Sequence, residues 1–468
     1  MSTQRISRRD FLRWSAIGLG GAFLAACAAP APQAPAEEEK PAPEAAEAEL
    51  PEVEWWHSWG GTTGMAALTA VEEAWNSKED KPFRIKRLHV PEMNDKLLTA
   101  IAGGTPPDVG VCCVLYAQLY ARGAVIPLDD YIAASEVVKK EDFVSGLFES
   151  MTWQGSTYGV PALECGPRYG LMYNKALIAE AGLDEANLPQ TWDEMFEWHK
   201  ALTKFDEAGN LEIVGFDPRD ATAGVGPRTN IPMFWGVTYG LEVWDQETMS
   251  FHFDDERFIR ALETIKKFYD YVGVEKMEAF RDSYGGWTQS PSASFPSGVE
   301  ATIVTGYYAP GELAHSAPDK EFGVGWAPRP DERRNVKFQS VGGHPAYIPN
   351  GAKHPKEAFM FIEFLTTDEV AEIMFETTGW LPGRKAFYDP NRPEAQKYAG
   401  LSWYLQSVSE ADELWAGPVI PIDAFVNQER ARAFDAVIYG DKTPEQAAMD
   451  LQQACTEELR KQFPDLVG

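Results

Sequence analysis

The chain has 468 residues and a formal net charge of −29, with 44% hydrophobic and 12% aromatic residues. The first 26 residues hold four Arg and one Asp, a net +3, which leaves −32 on the remainder. A negative field of that size repels phosphate backbones and argues against nucleic acid as a partner. The length favours two or three domains with sizeable cores.

The N-terminal residues are typical of an exported lipoprotein. Arg8 and Arg9 stand in a Ser-Arg-Arg-Asp-Phe-Leu segment that reads as a twin-arginine export signal. Residues 16–26 form an apolar run that is too short to span a membrane, and Leu-Ala-Ala-Cys ends it at Cys27. We therefore predict a signal peptide over residues 1–26 and lipidation of Cys27. The protein would lie outside the cytoplasm, at the cell surface or in the periplasm, and be held to the membrane by its lipid alone.

Two further features follow from composition. Residues 27–49 are almost entirely Ala, Pro and Glu, which predicts a disordered tether between the lipidated Cys27 and the folded part. The other cysteines are Cys112, Cys113, Cys165 and Cys455, with no C-x-x-C spacing. Buried free thiols are favoured over a strained Cys112–Cys113 bridge, and no disulfide framework is evident.

The folded part opens with alternating strands and helices. Val53–His57 predicts a strand, and Leu68, Val71 and Trp75 fall at helical spacing after it. The next segments predict a strand at 83–90, a helix through residues 93–101 and a strand at 109–114. This βαβαβ order is the start of a parallel sheet with helices on its faces.

Later segments show helix signals separated by loops. Thr191-Trp192-Asp193-Glu194 predicts a capping box, and apolar residues from Phe258 to Phe268 predict an amphipathic helix. A helix or helix pair is predicted for 355–374, and a last helix begins with Pro444 at its first position. The stretches 206–244 and 281–297 read as loops that are unusually aromatic.

No motif indicates an enzyme, a metal or a cofactor. The seven His residues are scattered singly, without H-E-x-x-H, and there is no G-x-S-x-G elbow, P-loop or dinucleotide fingerprint. We therefore expect no catalytic residues, no metal site and no cofactor.

The feature that indicates ligand binding is a set of aromatic residues beside Gly or Pro in predicted loops. They are Trp59, Trp235, Tyr239, Trp287, Tyr307, Tyr308 and Trp380. Rings exposed in a cleft stack on the C–H faces of sugars, while Asp, Glu and Arg bind the hydroxyl groups. For each ring, packing beneath a loop is the alternative interpretation.

Several short motifs occur in the order found in a known family. They are W-H-S-W at 56–59, P-P-D-V at 106–109, Y-G-V-P at 158–161, Y-N-K at 173–175, P-x-T-W-D-E at 189–194, F-x-x-G-x-x-A-x-x-x-x-G at 295–306, I-P-x-G-x-K-H-P at 348–355, G-W-L-P at 379–382 and Y-G-D-K-T-P at 439–444. Over residues 53–459 the chain resembles the extracellular solute-binding proteins of ABC importers, the family that includes the maltose-binding proteins.

The resemblance implies an α/β fold of two lobes, like that of periplasmic binding proteins, with a ligand cleft between them. Three crossover hinge segments would join the lobes, near 162–165, 323–329 and 379–382. The N-lobe would then comprise residues 50–161 plus 330–378, and the C-lobe residues 162–329 plus 379–468.

The resemblance also implies positions that contact solute. They are Ser58, Trp59, Glu164, Arg168, Tyr307, Tyr308, His344 and Trp380. The strand after Pro106-Pro107-Asp108 departs from the family pattern, since Cys112-Cys113-Val114 stands where a polar or acidic residue is common. Either Tyr116 and Gln118 take over that contact, or that wall of the pocket is apolar.

The sequence thus predicts a monomeric, lipid-anchored solute receptor of an ABC importer that binds a sugar or oligosaccharide and delivers it to membrane permease subunits. Two alternatives remain open at this point. One is a surface-anchored glycoside hydrolase, because stacking rings and carboxylates serve both functions. The other is a sugar-binding adhesin or sensor without transport.

Overall fold

The structure is a computed structural model that describes residues 50–111, 116–218, 236–284 and 288–466, without the side chain of Tyr116. In chain order the strands are β1 (Glu52–His57), β2 (Arg84–His89), β3 (Val109–Val111), β4 (Thr152–Trp153), β5 (Ser156–Thr157), β6 (Val160–Pro167), β7 (Gly170–Asn174), β8 (Lys204–Phe205), β9 (Leu211–Phe216), β10 (Trp244–Asp245), β11 (Ser250–Phe251), β12 (Glu300–Thr305), β13 (Phe322–Gly325), β14 (Phe338–Tyr347) and β15 (Glu413–Ala416). The helices are α1 (Thr62–Asn76), α2 (Met93–Ala102), α3 (Tyr116–Ala121), α4 (Asp129–Ala134), α5 (Lys175–Glu180), α6 (Trp192–Leu202), α7 (Glu256–Val272), α8 (Val274–Ser283), α9 (Ser294–Ser297), α10 (Ala309–Ser316), α11 (Pro355–Phe364), α12 (Asp368–Thr378), α13 (Leu401–Glu410), α14 (Asp423–Ile438) and α15 (Pro444–Gln462).

The first sheet has the strand order β15-β14-β3-β1-β2, and β6 pairs with β14. β1 lies parallel to both β2 and β3, with α1 and α2 as the crossover helices. Helix α1 buries Leu68, Val71 and Trp75, the residues that its helical spacing places on one face. The predicted βαβαβ start of the folded part is therefore confirmed.

The second sheet has the strand order β13-β7-β12-β9-β8. β12 lies parallel to β9 and antiparallel to β7. Helix α7 packs with α6, α14 and α15 at this sheet, and its buried residues include Phe258, Leu262, Ile265 and Phe268. These are the apolar positions from which the sequence predicts the helix, so that element is confirmed.

The chain first changes sheet at Arg168 and Tyr169. β6 pairs with β14 from Val160 to Pro167, and β7 begins at Gly170 in the second sheet. The predicted lobe boundary after Pro161 falls inside β6, which pairs with the first sheet as far as Pro167. Among the described strands β6 pairs with β14 alone, which explains why prolines are tolerated at positions 161 and 167.

The C-terminal part returns to the first sheet before it ends in the second lobe. β15 pairs in parallel with β14 through residues 338–341, although the sequence assigns all of 379–468 to the C-lobe. Helices α14 and α15 then pack on α7 beside the second sheet. The remaining lobe boundaries stay predictions.

Candidate functional site

The loop after β1 forms one wall of a cavity of about 590 Å³. The cavity is lined by Ser58, Trp59, Gly60, Gly61, Thr62, Thr63, Gln289, Ser290 and Pro291. Gly61 has a φ of +83°, and a Cβ atom there would lie 2.7 Å from Oε1 of Gln289. The positive φ is the feature that favours glycine at this position. The cavity thus lies between the end of β1 and the chain that follows α8.

Trp59 is the aromatic residue of this wall, although only 5% of its surface is exposed. Its ring centroid lies 5.2 Å from that of His344 in an edge-to-face arrangement and 5.6 Å from that of Trp380. These contacts fix the orientation of the ring. Trp59, His344 and Trp380, which the sequence places far apart, therefore meet in one cluster.

A charged cluster adjoins His344. Nη2 of Arg168 donates to Oε2 of Glu164 at 2.8 Å, and Nε2 of His344 lies 3.0 Å from the same oxygen. Burial alone would raise the pKa of Glu164, but the Arg168 charge and the His344 contact outweigh it and lower the pKa to about 2. Oε1 of Glu164 is buried and has no hydrogen-bond partner among the described residues. One oxygen of this ionised carboxylate therefore keeps unused hydrogen-bonding capacity.

Tyr307 and Tyr308 lie below this cluster and not on an exposed platform. The Tyr307 ring is fully buried, and its hydroxyl donates to the carbonyl of Leu381 at 3.0 Å and accepts from the amide of that residue at 3.1 Å. The ring covers Gly166, where a Cβ atom would lie 2.3 Å from it. The Tyr308 ring lies 5.6 Å from the Arg168 guanidinium. Packing, the alternative interpretation, therefore describes Tyr307 here, because its ring fills the space over the Gly166 backbone.

Tyr239 lies in the core beside the second sheet. It is 5% exposed, its hydroxyl is 2.7 Å from Oγ1 of Thr264, and the Arg260 guanidinium lies 5.3 Å from its ring. The alternative interpretation, packing beneath a loop, therefore applies to Tyr239. Contact of Tyr239 with solute stays a prediction.

Other predicted positions fall outside the described residues. They are Arg8, Arg9, Cys27, Trp235, Trp287 and the side chain of Tyr116. Gln118, the second candidate beside Tyr116, is buried in α3. Cys165 and Cys455 are buried free thiols, as predicted, while Cys112 and Cys113 lie outside the description.

Sequence reasoning missed Glu312, the residue that organises the opposite side of the cluster. It is 3% exposed and accepts hydrogen bonds from Thr288 Oγ1, from Gln289 Nε2 at 3.0 Å and from Trp380 Nε1 at 3.2 Å. Burial raises the pKa of its carboxyl group to about 7. The sequence signal was slight, since Glu312 merely falls between Pro-Gly and Leu in α10.

Gln289, also missed, joins the two walls of the cavity. Its Oε1 accepts from Oγ1 of Thr63 at 3.3 Å, while its Nε2 donates to Glu312. Thr63 belongs to α1 beside the first sheet, and Glu312 belongs to α10, which follows β12 of the second sheet. Gln289 therefore forms a hydrogen-bonded bridge across the cleft.

Nowhere in residues 50–111, 116–218, 236–284 or 288–466 do three or more His, Cys, Asp or Glu side chains converge as a metal site would require. Among the helices of this part of the chain, none combines the length and hydropathy needed to cross a bilayer.

Comparison with known proteins gives matches over most of the chain. A sequence model of the family described as bacterial extracellular solute-binding protein matches residues 72–401. The sn-glycerol-3-phosphate-binding periplasmic protein UgpB of Agrobacterium fabrum is 23% identical over 360 residues, which cover 73% of this chain and 76% of that protein.

Solved structures share the fold. CpMnBP1 with mannotriose bound has a TM-score of 0.75 at 23% identity, covering 87% of this chain and 100% of the other. The GacH receptor of Streptomyces glaucescens, solved unliganded and with acarbose, has a TM-score of 0.69 at 21% identity, covering 89% and 99%. The predicted two-lobe α/β fold and the family resemblance are confirmed. The chain belongs to the family of bacterial extracellular solute-binding proteins.

Proposed function

We propose that this chain is the lipid-anchored receptor of an ABC importer, which holds a sugar or oligosaccharide between its lobes and delivers it to membrane permease subunits. It acts as a monomer outside the cytoplasm, with Cys27 as the lipidated residue and Arg8 and Arg9 as the export signal. Family membership supports the solute-binding part of this proposal. The residues of the cleft support the ligand class.

The observation that carries the proposal is the combination of groups around Trp59. Its ring lines the cavity and contacts His344, which in turn contacts the ionised Glu164. An indole ring stacks on the apolar face of a pyranose, while a carboxylate oxygen accepts from sugar hydroxyl groups. Arg168 balances the charge of Glu164, so the cluster favours a neutral, polyhydroxylated solute over an anion.

CpMnBP1 was solved with mannotriose bound, and the GacH receptor was solved in complex with acarbose. The UgpB relative is described instead as binding sn-glycerol 3-phosphate. A phosphate ester at this site would meet the carboxylate of Glu164, whose pKa of about 2 keeps it ionised at neutral pH. We therefore favour a sugar over glycerol 3-phosphate.

A hydrolase is the rival function, because Glu164 and Glu312 form a pair of carboxyl groups with separated pKa values, as glycosidases require. A general acid must present its proton to the leaving oxygen. Both oxygens of Glu312 are instead engaged, with Thr288 at Oε2 and with Gln289 and Trp380 at Oε1. This arrangement favours a structural carboxyl group and a receptor without catalysis.

A thermal-shift panel tests the ligand class. We expect at least one neutral mono- or oligosaccharide to raise the melting temperature by about 5 to 10 °C at 100 times its dissociation constant, since linkage then supplies about 2.7 kcal/mol. Amino acids, spermidine and glycerol 3-phosphate should give no shift. A response confined to glycerol 3-phosphate would contradict the proposed ligand class but would be compatible with a receptor function. Release of reducing ends during the incubation would favour the hydrolase.

Two tryptophan variants test the position of the site. Trp59→Ala should weaken binding of the stabilising sugar about tenfold or more, because it removes the stacking surface. Trp75→Ala, a control in the core of α1, should cost about 3 to 5 kcal/mol of unfolding free energy without changing affinity. Unchanged affinity in Trp59→Ala would remove that ring from the site.

A further inference from the structure

Gln289 brings a carbonyl oxygen to the wall of the cavity beside Trp59. The residue is half-buried and lines the cavity together with Ser58 and the first residues of α1. Its Oε1 accepts from Oγ1 of Thr63 at 3.3 Å, a distance longer than is usual between two oxygens. A carbonyl oxygen has two lone pairs, so Oε1 can accept from a further donor.

Glu312 determines which end of the Gln289 amide faces α1. Oε1 of Glu312 accepts from Nε2 of Gln289 at 3.0 Å. The Thr63 hydroxyl can donate or accept and would fit either orientation of the amide, whereas this carboxyl oxygen offers only lone pairs. The Gln289 side chain therefore turns its NH2 group towards Glu312 and its carbonyl oxygen towards the N-terminal end of α1.

This orientation holds in both protonation states of Glu312. Thr288 Oγ1 contacts Oε2 of the carboxyl group, and Trp380 Nε1 donates to Oε1 at 3.2 Å. A proton on Oε2 can be donated to the Thr288 hydroxyl, and Oε1 then still accepts from Gln289 and Trp380. The raised pKa of Glu312 therefore does not release the Gln289 amide.

Helix α10 holds Glu312 and its partners together. Glu312 is 3% exposed, and Oγ of Ser316, on the same helix, donates to the carbonyl of Thr288 at 2.5 Å. Glu312 is not among the residues that line the cavity, whereas Gln289 is. Any effect of Glu312 on a solute in this cavity therefore acts through the residues that it holds.

We propose that Gln289 is a specificity-determining residue of the cavity, where its Oε1 accepts from one hydroxyl group of the solute, and that Glu312 is the positioning residue that fixes the Gln289 amide for this contact. This inference rests on the proposed function. A sugar hydroxyl can donate to Oε1, whereas the oxygens of an ether, a ketone or a phosphate dianion have no proton to donate. The fixed carbonyl oxygen therefore selects solutes that present a free hydroxyl group at this wall.

Titration calorimetry on the full chain tests the contact with mannobiose, maltose and any other neutral sugar that gives a thermal shift. Each parent sugar is compared with derivatives in which fluorine replaces one hydroxyl group at a time, because fluorine is similar in size but cannot donate. For one hydroxyl group, the wild-type protein should bind the derivative about tenfold more weakly than the parent sugar. Gln289→Met should bind the parent about tenfold more weakly than the wild-type protein does, and should bind that derivative as well as the parent. The same change at an exposed residue of α15, Gln453→Met, should keep the wild-type preference.

Variants of Glu312 test its positioning role. Glu312→Met leaves the Gln289 amide free to rotate, so the preference for the parent sugar over that derivative should disappear. Glu312→Gln should restore the preference, because its amide oxygen can accept from Gln289 and Trp380. NMR on glutamine-labelled protein tests the contact without a destabilising variant. The Gln289 side-chain amide protons should shift as Glu312 titrates near pH 7, and should not shift in Glu312→Gln.

Three results would overturn this inference. If every fluorine derivative keeps its wild-type disadvantage in Gln289→Met, Oε1 of Gln289 does not accept from the solute. If Glu312→Met weakens binding of the parent sugar and all derivatives equally, or if the Gln289 amide protons do not respond to pH, Glu312 does not position Gln289. Failure of the unaltered chain to bind any neutral sugar would instead contradict the proposed function itself.

Discussion

At the residue scale, the site contains two buried glutamates with opposite electrostatic environments. Glu164 faces Arg168 and His344, and its pKa falls to about 2 although burial opposes that change. Glu312 is surrounded by neutral donors, and burial raises its pKa to about 7. For Glu164, the full positive charge of Arg168 offsets the loss of hydration. For Glu312, hydrogen bonds from Thr288, Gln289 and Trp380 offset that loss only in part.

Glu312 should make stability depend on pH. Its pKa is higher in the folded protein than in the unfolded chain, so its contribution to stability is fully present below about pH 4.5 and is lost as the pH rises to about 7. Glu312→Gln should therefore raise the free energy of unfolding at pH 8 by up to about 3 kcal/mol and flatten its dependence between pH 5 and 7. Chemical denaturation at several pH values measures this effect.

An exposed glutamate provides the comparison for that experiment. Glu197→Gln, in α6 with 67% of its side chain exposed, should leave the pH profile of the wild-type protein unchanged. If the free energy of unfolding of Glu312→Gln depends on pH between 5 and 7 as in the wild-type protein, another group causes that dependence.

The family resemblance predicts some residues of the candidate site and does not predict others. Trp59, Glu164 and His344 come together because each stands in a strand, or just after one, at the same edge of the first sheet or at its crossing. Contact of these residues with solute stays a prediction. Gln289 and Glu312 belong to no motif, since their roles arise from hydrogen bonds between segments far apart in sequence.

At the element scale, short-range chemistry predicts helix ends well. The capping box of α6 is present, with Thr191 Oγ1 accepting from the amide of Glu194 and Glu194 Oε2 accepting from the amide of Thr191. Thr443 caps α15 through its side chain, which accepts from the amide of Gln446, ahead of Pro444. Both signals lie within four residues of the helix they start, so no tertiary information is needed.

Thr191→Ala should lower the free energy of unfolding by about 1 kcal/mol, because the mutation removes the cap of α6. If a lobe of roughly 200 residues unfolds as a unit, its melting temperature should fall by about 2 to 4 °C. Calorimetry of the variant beside Glu197→Gln, on the same helix outside the cap, measures the difference. Equal melting temperatures for the two proteins would mean that the box contributes nothing measurable.

Longer-range pairing explains what was missed among the elements. β9 lies inside the stretch 206–244 that the sequence predicts as a loop, because flanking Gly, Asp and Pro hide six residues that pair with β8 and β12. The strand β6 runs through the first predicted crossing and pairs with β14. It accommodates Pro161 and Pro167 because, among the described strands, β14 is its one partner.

At the scale of the whole molecule, the proposed lipid anchor can be tested independently of the proposed ligand cleft. Cys27→Ser should release the protein from membranes, because it removes the proposed acylation site. Fractionation after a salt wash measures the result, with Cys455→Ser, a buried free thiol, as the variant that keeps the anchor. Recovery of Cys27→Ser in the membrane pellet would contradict lipid anchoring at this residue.

Contacts between the lobes indicate how ligand binding couples to shape. Gln289 joins Thr63 to Glu312 across the cavity, and Arg122 joins α15 at the other side. Both are hydrogen-bonded contacts, which water replaces at small cost when the lobes separate. A ligand that contacts both lobes therefore shifts the population towards the closed form by its preference for that form.

Small-angle X-ray scattering with and without the sugar that gives the largest thermal shift tests this account most directly. Hinge closure around a solute brings two lobes together, so the radius of gyration of the Cys27→Ser protein should fall at saturating sugar. The same sugar should cause a smaller change in Trp59→Ala at equal concentration. A radius of gyration that stays constant while calorimetry shows the site to be saturated would contradict a receptor that closes around its ligand.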